Sequence, residues 1–201
     1  MRKINVAKLR ADGLNYAGYI ALIDQLLEVG KTTGPDQLPE RVEKSALNRQ
    51  RMKRWDKTAV LDELLIDKIQ KTGRKTGLMI ITEGWCGDAA QTLPWMNKMV
   101  ELNPTMLEAF YVLRDSTDYI NDYLTNGSKA IPVLVAFDFH SGDVIRVWGP
   151  RPTSITEWLT NLKKSGTLTK DEINYELHQY YAKDKGKAFM NDMSDFIDAL
   201  I

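Results

Sequence analysis

The feature that most constrains this chain is a short apolar run, residues 78–81, that leads directly into a turn containing Gly84 and Gly87. Consecutive apolar residues without polar alternation are typical of a strand that is buried on both faces. Such a strand needs other elements packed over both sides of its sheet. The run therefore predicts an α/β protein in which residues 78–81 belong to a central strand.

The segments after this strand alternate between helical and extended patterns. We predict a helix over 86–102, a strand over 107–113, a short helix over 116–124, strands over 132–139 and 144–148, and a helix after Ser154. The tight turn at 140–143 is short enough to join only antiparallel strands, so the last two strands form a hairpin. The order from 78 to 164 is therefore β-α-β-α-β-β-α, a mixed sheet flanked by helices.

Helical patterns also occupy both ends of the chain. Apolar spacing of three and four residues predicts N-terminal helices over 14–27 and 58–71, and we interpret the highly charged segment 38–55 between them as another helix. Towards the C-terminus, two capping boxes are predicted from their spacing, Ser154 with Glu157 and Thr169 with Glu172. We divide the chain into a helical N-terminal extension packed on the core (1–76), the core (77–165) and C-terminal helices (166–201).

The charge balance and the cysteine count argue against several classes of function. Lysine plus arginine equal aspartate plus glutamate at 27 each, so the net charge attracts neither nucleic acid nor an anionic membrane. The basic stretch 41–57 lacks interleaved aromatic residues, and we interpret it as a solvated helix face. The single cysteine excludes an internal disulfide. The chain has only two histidines, His140 and His178, which are a poor set of metal ligands, so we expect no metal and no cofactor.

No apolar window approaches the roughly 20 residues of a membrane span, and the N-terminus lacks the pattern of a signal peptide. We therefore expect a cytoplasmic protein with no membrane partner. The last helix carries Phe189, Met193 and Phe196 and could dock a second subunit as a homodimer. Packing on its own domain is the preferred interpretation.

The lone cysteine, Cys86, is predicted at or next to the N-cap of the helix that follows the central strand. Backbone N–H groups and the helix dipole stabilise a thiolate there, which lowers the pKa of a thiol from about 8.5. Asp88 acts in the opposite direction, because a nearby carboxylate disfavours a second negative charge. We expect Cys86 to be accessible and prone to form a thiolate.

Residues 78–164 resemble the thioredoxin superfamily, whose Trp-Cys-Gly-Pro-Cys motif lies at this strand-to-helix junction. Trp85, Cys86 and Gly87 match the motif, and Ile131-Pro132 stands where the family has its cis-proline loop. Asp88 replaces the proline of the motif and Ala89 replaces its second cysteine, so a two-cysteine cycle is impossible. The arrangement Trp-Cys-Gly-Asp-Ala is similar to that of a bacterial thioredoxin-like subfamily.

This resemblance implies a monothiol protein that exchanges thiol and disulfide groups with a small thiol or a disulfide-bearing protein. Cys86 would be the nucleophile, while Ile131 and Pro132 would position the substrate through backbone groups left free by a cis peptide. The alternative is a non-catalytic module that keeps the groove for a peptide or protein, and Ala89 favours it. Arg114 and Asp115 are further candidates, since they end the second strand at the same edge of the sheet as Cys86. The loop after the hairpin could also set Arg151 beside the groove, although turn chemistry alone explains its glycine and prolines.

Overall fold

The computed structural model describes residues 2–201. Its helices are α1 (Val6–Asp12), α2 (Tyr16–Glu28), α3 (Pro39–Thr58), α4 (Glu63–Gln70), α5 (Gly87–Leu102), α6 (Thr153–Ser165), α7 (Lys170–Asp184) and α8 (Lys187–Asp198). Its strands are β1 (Thr76–Thr82), β2 (Leu107–Leu113), β3 (Val133–Asp138) and β4 (Val144–Trp148). A 3₁₀ turn at Tyr119–Asp122 lies between β2 and β3.

The strands form one mixed sheet in the order β2-β1-β3-β4. β1 pairs parallel with β2 and antiparallel with β3, and β3 and β4 form the predicted antiparallel hairpin. All seven residues of β1 are buried, so the interpretation of the apolar run as a central strand is confirmed. The parallel β1–β2 pair brings the carboxyl ends of both strands to one edge, and α5 begins at that edge.

One hydrophobic core joins the sheet to helices from both ends of the chain. It contains Leu9 of α1, Tyr19 of α2, Leu65 of α4 and Met193 of α8 together with the residues of β1. The last helix therefore buries its apolar face within its own chain. A second, smaller cluster holds α6 and α7 together through residues such as Leu159 and Tyr181.

Several predicted helix boundaries are wrong. The segment predicted as a helix over 58–71 is helical only from Glu63, because the side chain of Asp62 accepts a hydrogen bond from the Leu65 N–H and caps the helix there. Val60 consequently lies outside the helix and is 75% exposed. The short helix predicted over 116–124 is the single 3₁₀ turn, and the sequence patterns missed α1.

The two predicted capping boxes have different outcomes. Thr169 and Glu172 form a complete box at the start of α7, as predicted. Ser154 does not cap α6, because that helix already begins at Thr153, directly after Pro152. Pro152 is itself the N-cap residue, with φ −52° and ψ 140°, and α6 has no side-chain capping hydrogen bond.

Replacing Gly77 by alanine is expected to lower the free energy of unfolding by about 3 kcal/mol. A Cβ on this β1 residue would lie 2.0 Å from the ring carbon Cζ of Phe137 on β3, in a fully buried part of the sheet. Urea denaturation measures the effect. Gly73→Ala is the matched control, because no atom lies within 4 Å of its added Cβ. Equal stability of the two variants would contradict the prediction.

Candidate functional site

Cys86 is the N-cap residue of α5, as predicted. Its Sγ accepts a hydrogen bond from the Ala89 N–H at 3.5 Å, and its thiol donates to the carbonyl oxygen of Ile131 at 3.3 Å. The residue is only 7% exposed. The thiol therefore uses both its donor and its acceptor capacity inside the protein.

The partner of this thiol belongs to the loop that precedes β3. The Ile131–Pro132 peptide bond is cis, and so is Gly149–Pro150 in the loop after β4. The two loops touch, since a Cβ on Gly149 would lie 2.2 Å from the carbonyl oxygen of Pro132. Glycine is needed at 149 for this close approach and for its φ of +131°. The structure thus brings Cys86, Ile131 and Pro132 together.

Asp88 forms a buried ion pair with Arg151. The Arg151 guanidinium binds the carboxylate with two hydrogen bonds, one from Nε to Oδ1 at 2.8 Å, and the side chains are only 19% and 13% exposed. Tyr181 of α7 donates a third hydrogen bond to Asp88 Oδ1 at 2.8 Å. These contacts tie the first turn of α5 to the loop after β4 and to α7.

His178 of α7 packs against Gly87, in the first turn of α5. A Cβ on Gly87 would lie 2.7 Å from Cε1 of His178, so only glycine permits this contact. Gln91 connects the histidine to α3, because its Nε2 lies 3.1 Å from His178 Nδ1 and its Oε1 accepts the indole N–H of Trp55 at 2.6 Å. Together, Arg151, His178 and Tyr181 form a cover over the first turn of α5, next to Cys86. Of these three, the sequence singled out only Arg151 as a candidate beside the groove.

Burial and, to a smaller extent, the charge of Asp88 raise the pKa of the Cys86 thiol, to about 12 after all contributions. The backbone N–H groups of Ala89 and Asp88 and the charge of Arg151 lower the pKa, but the loss of hydration outweighs them. The expectation of an accessible, thiolate-prone cysteine is therefore wrong for this conformation. The helix N-terminus is present, but burial of the thiol removes the water that a thiolate needs.

Trp85 lies on the more exposed side of the turn and is half-buried. Its ring is contacted by the guanidinium groups of Arg41 and Arg114, at 4.3 and 4.6 Å from the ring centroid. Arg114 also binds the carboxylate of Asp115 and the carbonyl oxygen of Lys129. The two sequence candidates Arg114 and Asp115 thus lie beside Trp85, at the predicted edge of the sheet.

A buried carboxyl group, Glu83, lies three residues before Cys86 and was missed by the sequence analysis. Its Oε1 accepts a hydrogen bond from the Asp115 N–H at 3.0 Å, whereas Oε2 has no partner within residues 2–201. Burial raises the pKa of this carboxyl group above its ordinary value. A glutamate directly after a strand usually faces solvent, so its residue type gave no signal of burial.

Stability is expected to fall by about 2 kcal/mol as the pH drops from about 6.5 to 4.5, because of His178. Burial, followed by the charge of Arg51, lowers the pKa of His178 to about 4, against an opposing effect of Asp88. Over that interval the unfolded chain binds a proton that the folded chain does not bind. Urea denaturation of the wild type and of His178→Gln tests this. The same pH slope in both proteins would contradict it.

Within residues 2–201 there is no cluster of three or more His, Cys, Asp or Glu side chains that could hold a metal ion. None of the described helices is both long and apolar enough to cross a membrane. The groups that the structure brings together around Cys86 are the Asp88–Arg151 ion pair, His178, the buried carboxyl group of Glu83 and the backbone of the cis-proline loop.

Comparison with known proteins bears on this arrangement. The family model described as Thioredoxin matches residues 36–163, which is more than half of the chain. No curated protein matches the sequence significantly. Among solved structures, an HIV epitope-scaffold protein has a TM-score of 0.62 with 16% identity over 97% of this chain and 98% of its own.

A protein of unknown function from Pseudomonas aeruginosa has a TM-score of 0.61 with 18% identity over 100% of both chains. At these identities the two structures share the fold of this chain, and the likeness carries no activity. The match of the family model includes Trp85, Cys86 and Pro132 as well as the whole sheet. The chain therefore belongs to the thioredoxin family and has a thioredoxin-like α/β fold extended by helices at both ends.

Proposed function

We propose that this protein is a thioredoxin-fold binding module that holds a partner without forming a covalent bond to it. The observation that carries the proposal is the state of Cys86, whose thiol donates to the Ile131 carbonyl. A thiol with a pKa of about 12 is a thiolate in roughly one molecule in 10⁵ at neutral pH. Because the thiolate is the nucleophile in disulfide exchange, this conformation disfavours redox turnover.

The surface proposed for binding lies beside Trp85 and the cis-proline loop. The Ile131 N–H donates to no acceptor within residues 2–201, although the residue itself is only 6% exposed. Trp85 presents a half-buried indole there, and Lys129 is exposed beside it. An extended peptide could pair with the backbone donor and contact the indole beside the guanidinium groups of Arg41 and Arg114. In this proposal Trp85, Ile131 and Pro132 shape the site.

Exposure to glutathione disulfide at neutral pH tests the proposal directly. We expect intact-mass analysis to find no mixed disulfide on Cys86 after several hours. A Cys86→Ser, Lys129→Cys double variant carries its only thiol on an exposed residue and should be modified under the same conditions. Rapid, stoichiometric modification of Cys86 in the folded wild type would overturn the proposal.

Monothiol exchange is the second candidate, and one observation favours it. Cys86 retains the helix N-cap position and the contact with the cis-proline loop. If α6 and α7 moved away, the thiolate could attack a disulfide, release one thiolate product and remain in a mixed disulfide until a second thiol resolved it. The partners would be a small thiol or a disulfide-bearing protein.

Partner capture with wild type and Cys86→Ser separates the two candidates. A partner that both proteins retain after treatment with dithiothreitol supports non-covalent binding. A partner that is lost on dithiothreitol treatment, or that Cys86→Ser does not capture, supports exchange through Cys86.

We also propose the cytoplasm as the compartment, since a chain with one cysteine has no internal disulfide that requires an oxidising environment.

A further inference from the structure

A second concave site lies away from the cis-proline loop, between the end of α3, the middle of α5 and the end of α7. It has a volume of about 480 Å³, which is within the range of small-molecule sites. It is lined by Arg54, Trp55, Val60, Trp95, Ala182 and Lys185. The proposed binding surface beside Trp85 contributes none of these residues.

The floor of this pocket is aromatic and its edge is aliphatic. The rings of Trp55 and Trp95 are in contact, with centroids 5.4 Å apart and planes inclined at 53°. Val60, which the cap at Asp62 excludes from the helix, leaves an apolar side chain exposed at the mouth. Trp55 and Trp95 are only 6% and 2% exposed, so Val60 provides most of the exposed apolar surface, and the small exposed parts of the two indoles adjoin it.

The two charged residues that line the pocket, Arg54 and Lys185, are both cationic. Arg54 and Lys185 are both exposed, and neither forms an ion pair with any residue from 2 to 201. Arg54 instead stacks on Trp55, with its guanidinium carbon 4.3 Å from the ring centroid. The neighbouring carboxylate of Asp184 accepts from the Ala188 N–H and keeps its charge, but it does not line the pocket. An anionic group in the pocket would therefore meet both cations.

An unsatisfied donor lies in the same wall. The indole N–H of Trp95 is buried and has no acceptor within residues 2–201, although the side chain lines the pocket and the residue is only 2% exposed. The Cε2 atom next to this nitrogen lies against Gly186, which adjoins Lys185. Buried donors are rarely left without an acceptor. The pocket thus combines apolar rings, two free cations and an unused N–H donor.

We propose that this pocket binds a small aromatic carboxylate. The ring would pack against Val60 and the parts of Trp55 and Trp95 that line the pocket, and the carboxylate would face Arg54 and Lys185. A charge-assisted contact with a guanidinium or an ammonium group is stronger than a contact between neutral groups. The negative charge and the aromatic ring of the ligand should therefore each strengthen binding.

Isothermal titration with 2-naphthoate and its neutral isostere 2-naphthamide tests the ligand class. We expect 2-naphthoate to bind with 1:1 stoichiometry and the amide to bind at least about tenfold more weakly, which corresponds to one charge-assisted contact. Cyclohexanecarboxylate, which has the charge without the flat ring, should also bind more weakly. The absence of 2-naphthoate binding at millimolar concentration, or equal binding of the amide, would overturn the proposal.

Two pairs of variants test the location. Val60→Asp places a carboxylate at the mouth and should weaken 2-naphthoate binding by about tenfold or more, whereas Val29→Asp makes the same change at another exposed valine. Lys185→Asn removes the charge at position 185, and asparagine tolerates the φ angle of +52° that the backbone has there. Lys53→Asn, on the exposed surface of α3, is the control for this change. Circular dichroism confirms folding. Binding that is unchanged in Val60→Asp, or weakened equally by Val29→Asp, would place the ligand elsewhere.

Discussion

Replacing Arg151 by methionine is expected to lower the free energy of unfolding by about 3 kcal/mol. The substitution removes the partner of Asp88, whose side chain is only 13% exposed, and leaves the hydrogen bond from Tyr181 as the remaining charge-stabilising contact from α7. A buried charge without its counter-ion is costly, because the protein interior replaces its hydration poorly. Equilibrium denaturation in urea measures the loss.

Two further variants identify the cause of this loss. Arg151→Lys retains the charge but not the two-point geometry and should recover part of the stability. The double variant Asp88→Asn, Arg151→Met removes both charges and should be more stable than Arg151→Met alone, because no unpaired carboxylate remains. If the free energy of unfolding of Arg151→Met is within about 1 kcal/mol of the wild-type value, the ion pair is not a principal contact between the cover and α5.

Replacing Asp88 by asparagine is expected to raise the alkylation rate of Cys86 at pH 8 by at least about tenfold. Asp88 is the second cause of the raised thiol pKa, and its removal leaves the positive charge of Arg151 nearby. A fall of one pKa unit increases the thiolate fraction about tenfold when the pKa is far above the pH. Burial remains, so the rate should stay below that of a free thiol.

Asp122→Asn is the control for this change, because it removes an exposed carboxylate that is absent from the causes of the Cys86 shift. Iodoacetamide labelling followed by intact-mass analysis gives the rates, and circular dichroism checks that both variants are folded. An unchanged rate in Asp88→Asn would show that the carboxylate does not suppress the thiolate. A similar increase in Asp122→Asn would show that the effect is not local to α5.

The sheet and the start of α5 were predictable because their signals are local. The apolar run at residues 78–81 can be satisfied only by burial on both faces, and the turn at 140–143 leaves no room for a crossover. The capping box of Thr169 and Glu172 was predictable for the same reason, since it is a contact between residues three positions apart. Ser154 with Glu157 had the same spacing, but Pro152 started that helix earlier.

The state of Cys86 was not predictable, because it depends on residues far along the chain. Arg151 lies 63 positions and Tyr181 lies 93 positions after Asp88. Their placement follows from the way α6 and α7 pack together and fold back over α5, and no local pattern encodes that. The sequence predicted the helix N-terminus, which lowers a thiol pKa, but not the burial that raises it.

The measurement that tests the account most directly is the pH dependence of Cys86 alkylation by iodoacetamide, beside a peptide with a free cysteine. The account predicts labelling much slower than that of the peptide, with no titration midpoint below about pH 10, because burial and Asp88 oppose the thiolate. A midpoint well below the ~8.5 of a free thiol, with fast labelling of the folded protein, would contradict it. That result would establish Cys86 as an activated nucleophile and favour monothiol exchange over non-covalent binding.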